Sequence, residues 1–174
     1  MSAQPRARGR LQVPRLKAAA LVRRPEHTPR IEPPSAPHPD GLALRRALWS
    51  GCPQEEQLAQ MAAFAAEPAR YAHFIAYEAG TPAGLAAAAL RQDYVNGAAS
   101  SPAVFLEGLY VVPRLRRRGI ARLLVAAVAA WARESGCREL TSDALQGNRA
   151  SHASHRALGF EETEPVVFYR KDLP

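Results

Sequence analysis

Short apolar runs rich in β-branched and aromatic residues alternate along the chain with longer stretches of helical periodicity. Apolar residues spaced three to four apart predict helices over 54–66 and 148–158, before Trp49, and after Gly119. Gly, Pro, Ser and Asn residues bound most of the apolar runs, as they do around strands. Strands are therefore predicted at 31–32, 71–78, 84–91, 104–112, 138–142 and 165–171. Strands that alternate with helices predict an α/β domain.

One stretch joins a strand to a helix through a basic turn. Pro113 ends the strand because it cannot donate to a sheet ladder. Residues 116–119, Arg-Arg-Arg-Gly, precede a helix whose apolar face carries Leu124, Val128 and Trp131. The first N–H groups of a helix lack intrahelical partners and lie at the positive end of its dipole, so this arrangement favours phosphate binding. By itself, the pattern fits a solvated basic turn before an ordinary amphipathic helix equally well.

Further residues make the sequence resemble a known family. Asn148 is followed seven residues later by His155 and then by Ala-Leu-Gly-Phe at 157–160. With the basic turn, these match the C-terminal half of the GNAT acyltransferases, which use acetyl-coenzyme A (acetyl-CoA). The resemblance implies an α/β fold whose central sheet is mixed, mostly antiparallel, flanked by about four helices and splayed at the cofactor-binding strands. The implied cofactor contacts are Leu109, Tyr110, Val111, Arg116, Arg117, Arg118, Gly119, Ile120, Ala121, Arg122 and Asn148.

Within that family, the chain is most similar to the aminoglycoside 6′-N-acetyltransferases. The similarity is carried by FLEGLYVVP, by ALGFEETEPVVFYRK, by residues 92–97 and 136–143, and by Leu48-Trp49. It implies transfer of an acetyl group to the 6′-amine of aminoglycosides, with resistance to these antibiotics as the consequence. The alternative is the same chemistry on another small amine, a polyamine or a protein N-terminus. The resemblance also implies a homodimer.

Three residues are candidates for catalysis. Glu107 is an acid inside an otherwise apolar strand, where an unpaired charge is costly, so it either binds the substrate amine as its base or pairs with an arginine such as Arg91. Asp143 follows the strand at 138–142, at the edge where α/β sheets collect ligands, and is the alternative base. His155 takes the position of a family tyrosine and could protonate the leaving thiolate. A partly exposed helical histidine explains it equally well.

Several of these residues also belong to the predicted acceptor site. The resemblance makes Trp49 an aromatic wall for a sugar ring, although an aromatic residue at this point of a helix is more commonly core. It places Cys52 where relatives commonly have a histidine. Tyr94 lies in a polar loop, and surface loops often carry function. The predicted substrate contacts are Trp49, Cys52, Tyr94, Glu107, Asp143 and Glu164. Their acids would attract a polycationic amine, whether aminoglycoside, polyamine or basic peptide, and no metal site is predicted.

The net charge of +7 belongs to one end of the chain. Residues 1–30 contain eight of the 23 basic residues and one of the 16 acids, which leaves 15 of each sign from residue 31 onward. We expect residues 1–30 to be a disordered basic extension and 31–174 to be the acetyltransferase domain. The extension lacks interleaved aromatic residues, so a specific nucleic-acid partner is not predicted. No apolar run approaches the ~20 residues of a membrane span, and we expect a cytoplasmic enzyme.

Overall fold

A five-stranded sheet forms the centre of the part of the chain that the structure describes. The computed structural model describes residues 29–32 and 38–173, so most of the predicted basic extension lies outside the described residues. The strands are β1 (Arg30–Glu32), β2 (Tyr71–Glu78), β3 (Thr81–Arg91), β4 (Ala103–Val111) and β5 (Leu140–Ser142). They lie in the order β1-β2-β3-β4-β5; neighbouring strands are antiparallel except β4 and β5, which are parallel. The predicted mixed, mostly antiparallel sheet is confirmed.

Helices cover both faces of this sheet. They are α1 (Pro39–Leu48), α2 (Gln54–Ala66), α3 (Ile120–Glu134) and α4 (Arg149–Leu158), and a single 3₁₀ turn spans Pro113–Leu115. Successive side chains of a strand point to opposite faces. Phe74 and Ala76 accordingly join the core under α3, whereas Ile75 and Tyr77 pack against Leu44 of α1. Helices α1 and α3 therefore lie on opposite faces of the sheet.

Strand β4 loses its neighbour partway along its length. It pairs with β3 from end to end, but with β5 only at 104–106. From Glu107 to Val111, that edge of β4 has no strand partner among the described residues. The register also shifts here, because Leu106 pairs with Ala88 and Gly108 with Ala87, which leaves Glu107 as the extra residue of a β-bulge. Bulges bend a strand and re-aim one side chain, so the sheet splays open at Glu107.

The strand predicted at 165–171 is wrong for this structure. After α4 the chain runs to Leu173 without regular secondary structure, and residues 161–173 are exposed. The prediction rested on the composition Val-Val-Phe-Tyr, but a strand also needs a free edge with which to pair. One edge of β5 is paired to β4, and the other edge, to which a further strand could add, is only three residues long. Apolar composition alone therefore does not add a sixth strand to the sheet.

Candidate active site

The basic turn is anchored by buried residues at both of its ends, and its own residues face the solvent. Leu115 and Ile120 are buried on either side of it, while residues 116–119 are exposed. Gly119 caps α3 with φ of 86°, a left-handed conformation that side chains other than glycine rarely adopt, and no side chain caps the helix there. The N–H groups of the first turn of α3 therefore keep their hydrogen-bonding capacity for a ligand. The turn begins just beyond the unpaired edge of β4, so the edge and the turn form one continuous surface.

Three arginine side chains of this region already have protein partners. Arg116 Nε donates to the carbonyl of Val111 (3.1 Å), and Arg122 donates to the carbonyl of Ala157 at the end of α4 (3.3 Å). Arg118 lies 3.4 Å from the carboxylate of Glu78. These contacts anchor the turn to β4, α4 and β2. The phosphate-binding capacity of the turn therefore rests first on the backbone and only then on arginine charge.

A cavity of about 410 Å³ opens on the α1 face of the sheet, beside the bulge. Trp49, Cys52 and Glu107 all line it, so the structure brings together three of the predicted site residues. Glu107 Oε1 accepts a hydrogen bond from Arg91 at 2.6 Å, and both side chains are partly exposed. The ion pair considered from the sequence is thus present, at the mouth of the cavity. The remaining lining residues are Arg45, Gln57, Gln60, Phe64, Tyr71, His73, Ala87 and Ala88.

The inner wall of the cavity contains a buried cation. The guanidinium of Arg45 donates to His73 Nε2 (3.2 Å) and to Gln60 Oε1 (3.0 Å). An arginine can only donate, so Nε2 of His73 must be unprotonated. Burial, reinforced by the charge of Arg45, lowers the pKa of His73 to about 4. Partial burial and the neighbouring Glu56 raise the pKa of the Cys52 thiol, so this wall is cationic and carries no thiolate at neutral pH.

The other predicted substrate contacts lie away from the cavity wall. Tyr94 is 80% exposed in the loop between β3 and β4, and that loop is fixed by Glu139, which accepts from the N–H groups of Ala99 and Ser100. Asp143 follows β5 and is exposed. Glu164 is exposed in the segment after α4. None of these three side chains lines the cavity.

Asn148 and His155 both hold α4 in place. Asn148 is the N-cap of α4, and its Oδ1 accepts from the N–H of Ser151 (3.0 Å). His155 Nε2 lies 3.0 Å from Ser142 Oγ, which itself donates to the carbonyl of Leu106 (3.1 Å). The carbonyl of Ser151 lies 2.9 Å from Nδ1 and can only accept, so Nδ1 carries a hydrogen, and Nε2 can donate to Ser142 only when the ring is doubly protonated. His155 is thereby linked to the point where β4 and β5 separate.

Comparisons with known proteins agree with this geometry. Residues 41–160 match the Acetyltransferase (GNAT) family model. Aminoglycoside N(6′)-acetyltransferase type 1 of Salmonella typhimurium is 49% identical over 128 residues, which cover 74% of this chain and 88% of that protein. The protein of the same name from Serratia marcescens is 48% identical over 132 residues, covering 76% and 90%. This chain belongs to the GNAT acetyltransferase family.

Solved structures show the same likeness. AAC(6′)-Iy in complex with the bisubstrate analog CoA-S-monomethyl-acetylneamine is 44% identical, with a TM-score of 0.80 over 84% of this chain and 99% of that one. AAC(6′)-Ih from Acinetobacter baumannii is 40% identical, with a TM-score of 0.79 over 84% and 100%. The GNAT fold and the resemblance to the aminoglycoside 6′-N-acetyltransferases are therefore confirmed. The roles of individual residues stay predictions.

The described residues show neither a metal-binding cluster nor a helix that could cross a membrane. Across residues 29–32 and 38–173, no group of three or more His, Cys, Asp or Glu side chains is arranged to hold a metal ion. None of the helices in that part of the GNAT chain has the length and apolar character that a bilayer crossing requires.

Sequence reasoning missed four residues that shape the cavity of this acetyltransferase. Arg45 and Gln57 are buried polar side chains, His73 is the neutral partner of Arg45, and Gly108 contacts Trp49. Two signals were available. Arg45 follows Gly41 by four residues and precedes Leu48 by three, on the buried side of α1. A glycine inside an apolar strand commonly marks a close approach of another group, and Gly108 is one.

Proposed function

We propose that this chain transfers the acetyl group of acetyl-CoA to the 6′-amino group of aminoglycosides, and so confers resistance to them. The observation that carries the proposal is the position of Glu107. It is the bulged residue at which β4 loses its partner, so it lies between the unpaired edge that leads to the basic turn and the cavity lined by Trp49. An acyl donor along the edge and an amine in the cavity would meet at this residue.

The donor would be held mainly by the backbone. The unpaired edge at 107–111 offers N–H and C=O groups to the pantetheine arm, as an added strand does. The backbone groups of Tyr110 face β3, and the carbonyl of Val111 is already taken by Arg116, so pairing would use Leu109 and the N–H of Val111. The first-turn N–H groups of α3 would bind the pyrophosphate. Asn148 Oδ1 is engaged as an N-cap, which leaves its amide N–H groups for the arm.

The acids would supply the base. A primary ammonium must lose a proton before its nitrogen can attack the thioester carbonyl, and Glu107 is the acid that lines the cavity. The carboxylate would accept that proton either directly or through water, with Arg91 holding it in place at 2.6 Å. Asp143 is the alternative base from the β5 side. Backbone N–H groups of β4 would stabilise the oxyanion, an interaction worth ~10²–10³ in rate in other enzymes.

The leaving thiolate would receive its proton on the β5 side of the point where β4 and β5 separate. The Nε2 atom of His155 lies 3.0 Å from the hydroxyl of Ser142, at the end of β5. We propose that the imidazolium form of His155 acts through this hydroxyl: Ser142 gives its hydrogen to the thiolate and takes the Nε2 hydrogen of His155, which is left neutral with its other hydrogen on Nδ1, toward the carbonyl of Ser151. Ser142→Ala and His155→Ala should then lower turnover by the same factor, and the double variant should lose no more than either one. Additive losses would contradict the relay.

Turnover on a panel of amines tests the proposal. Purified protein is mixed with acetyl-CoA and with kanamycin, tobramycin, spermidine or a basic peptide, and free thiol is followed over time. We expect turnover with both aminoglycosides and acetylation at the 6′-amine in the product. Turnover confined to spermidine or the peptide would favour the alternative acceptor. A chain inactive on every aminoglycoside would overturn the proposal.

We further propose that the enzyme is a cytoplasmic homodimer, and the exposed apolar residues of the C-terminal segment support the dimer. Val167, Phe168 and Tyr169 are 72–93% exposed, and exposed runs of this composition are favourable strand-forming surfaces. A second copy of the chain offers edges to which they could add. We expect the protein to sediment as a dimer and Phe168→Asp to sediment as a monomer. Leu145→Asp, an equally exposed position before α4, should stay dimeric; a monomeric unmutated chain would contradict the proposal.

A further inference from the structure

Arg45 is a buried charge without an ionic partner. Its side chain is 3% exposed, and no carboxylate of the described residues lies within ion-pair distance of it. Burying an unpaired charge is expensive unless other contacts replace its hydration. Hydrogen bonds to His73 and Gln60 supply part of that replacement, and Nε has no acceptor within the part of the chain that the structure describes. A leucine at this position would avoid the penalty, so the guanidinium needs another explanation.

The guanidinium is stacked on the aromatic wall of the cavity. Its central carbon lies 4.5 Å from the ring centre of Trp49 and 5.7 Å from that of Phe64. Planar guanidinium groups stack on aromatic faces in a way that a lysine ammonium cannot reproduce. His73 and Gln60 fix the plane of the fork, because each accepts from a different terminal nitrogen. The stack therefore has one defined orientation.

Two further contacts fix the position of Trp49, one to its ring and one to its backbone. A Cβ at Gly108 would lie 2.5 Å from Cζ2 of the indole and 2.8 Å from its Cη2, so the ring lies directly on the backbone of β4, next to Glu107. Gln57 Nε2 donates to the carbonyls of both Trp49 and Cys52 at 3.0 Å, which fixes the turn after α1. The indole is thus held between the strand and the guanidinium.

We propose that Arg45 is a positioning residue for the acceptor: it presses the indole of Trp49 onto Gly108 and so sets the shape of the cavity beside Glu107. The inference rests on the proposed function, in which that cavity receives the amine. Arg45 forms part of the cavity wall, and we do not place it in contact with the reacting atoms. Its loss should therefore weaken binding of the acceptor and leave binding of acetyl-CoA, on the α3 side, nearly unchanged.

The test uses Arg45→Gln in a Trp131→Phe background, where Trp49 is the only tryptophan. We expect the acceptor KM to rise about tenfold, as loss of a buried cation–π contact predicts, with the KM for acetyl-CoA within about twofold of its original value. Without any substrate, the Trp49 emission should shift to longer wavelength as the ring becomes wetter. Arg46→Gln, the same change at the adjacent exposed position of α1, should alter neither quantity.

Two more variants separate positioning from general damage. Arg45→Lys keeps the charge but not the planar fork, is the milder change for folding, and should show the same emission shift and most of the rise in acceptor KM. Gly108→Ala should raise the acceptor KM through a different contact with the same ring. Unchanged emission in both Arg45 variants, or equal rises of both KM values, would overturn the inference. Absence of aminoglycoside turnover in the unmutated chain would overturn the proposed function instead, and the emission result would still be decisive for Arg45.

Discussion

The two faces of the sheet are built in different ways. Under α3, side chains of β2, β3 and β4 meet Ile120, Leu124 and Val128, which are 0–1% exposed, in a continuous apolar core. Under α1 the apolar cluster is small, consisting of Leu44, Ile75, Tyr77 and Leu85. Next to it lie the cavity and the buried polar side chains of Arg45 and Gln57. One face is packed as an interior, and the other holds open space with polar groups.

The difference matches the two substrates. A diphosphate is bound by backbone groups whose position must be fixed, and a close-packed helix fixes them. An acceptor amine with many hydroxyl groups needs a cavity with polar and aromatic walls. The packed face should therefore respond to mutation mainly through cofactor affinity and stability. The open face should respond through acceptor affinity and pH.

The largest effect is expected at the turn of the packed face. Gly119→Glu places a side chain and a negative charge at a left-handed position beside the proposed pyrophosphate site. We expect no measurable acetyl-CoA affinity by calorimetry. Gly119→Ala is the matched variant: it keeps the backbone strain but not the charge, so it should bind with intermediate affinity. Unchanged affinity in Gly119→Glu would refute the location of the cofactor site.

The second-largest effect is a loss of turnover, expected for variants at the point where the two faces meet. Glu107→Ala removes the proposed base, and general-base catalysis typically contributes ~10²–10⁴ in rate. His155→Ala should lose far less, about tenfold, because a thiolate is a good leaving group without full protonation. Steady-state kcat at saturating acceptor measures both. Equal losses would mean that His155 has a larger role than the one proposed.

A third comparison measures the packing of the two faces directly. Leu124→Ala opens a hole in the apolar core and should lower the free energy of unfolding by about 4 kcal/mol. Leu44 is 4% exposed in the small cluster beside the cavity. Leu44→Ala should cost about 2 kcal/mol, because the cost falls where neighbours can relax. Urea unfolding of both variants checks the difference, and equal costs would contradict the contrast between the faces.

The packed face is also the part that the sequence predicts best. The period of α3, the proline after β4 and the basic turn are local signals, and each fell within one or two residues of the observed element. The open face depends on contacts between distant residues: Arg45 with His73, Gln57 with Trp49, and Gly108 with the indole. Local patterns can mark Arg45 and Gly108 as unusual positions, but they do not identify the distant residues that each contacts. The segment after α4 failed for the same reason, since strand formation depends on an edge elsewhere.

The smallest expected effect is a pH dependence of stability that comes from the open face. The pKa of His73 is about 4 in the fold, below the 6.5 of an unperturbed histidine, because burial and Arg45 disfavour its protonated form. The unfolded chain therefore takes up a proton at a higher pH than the folded chain does. The stabilisation is complete well above pH 6.5 and is lost as the pH falls toward 4, with a loss of about 2 kcal/mol between pH 7.5 and pH 5. Urea midpoints at the two pH values should show this loss for the unmutated chain and a smaller one for His73→Gln, which can still accept from Arg45 but does not titrate. A loss of equal size in His73→Gln would mean that other groups cause it, and that His73 is not held neutral behind Trp49.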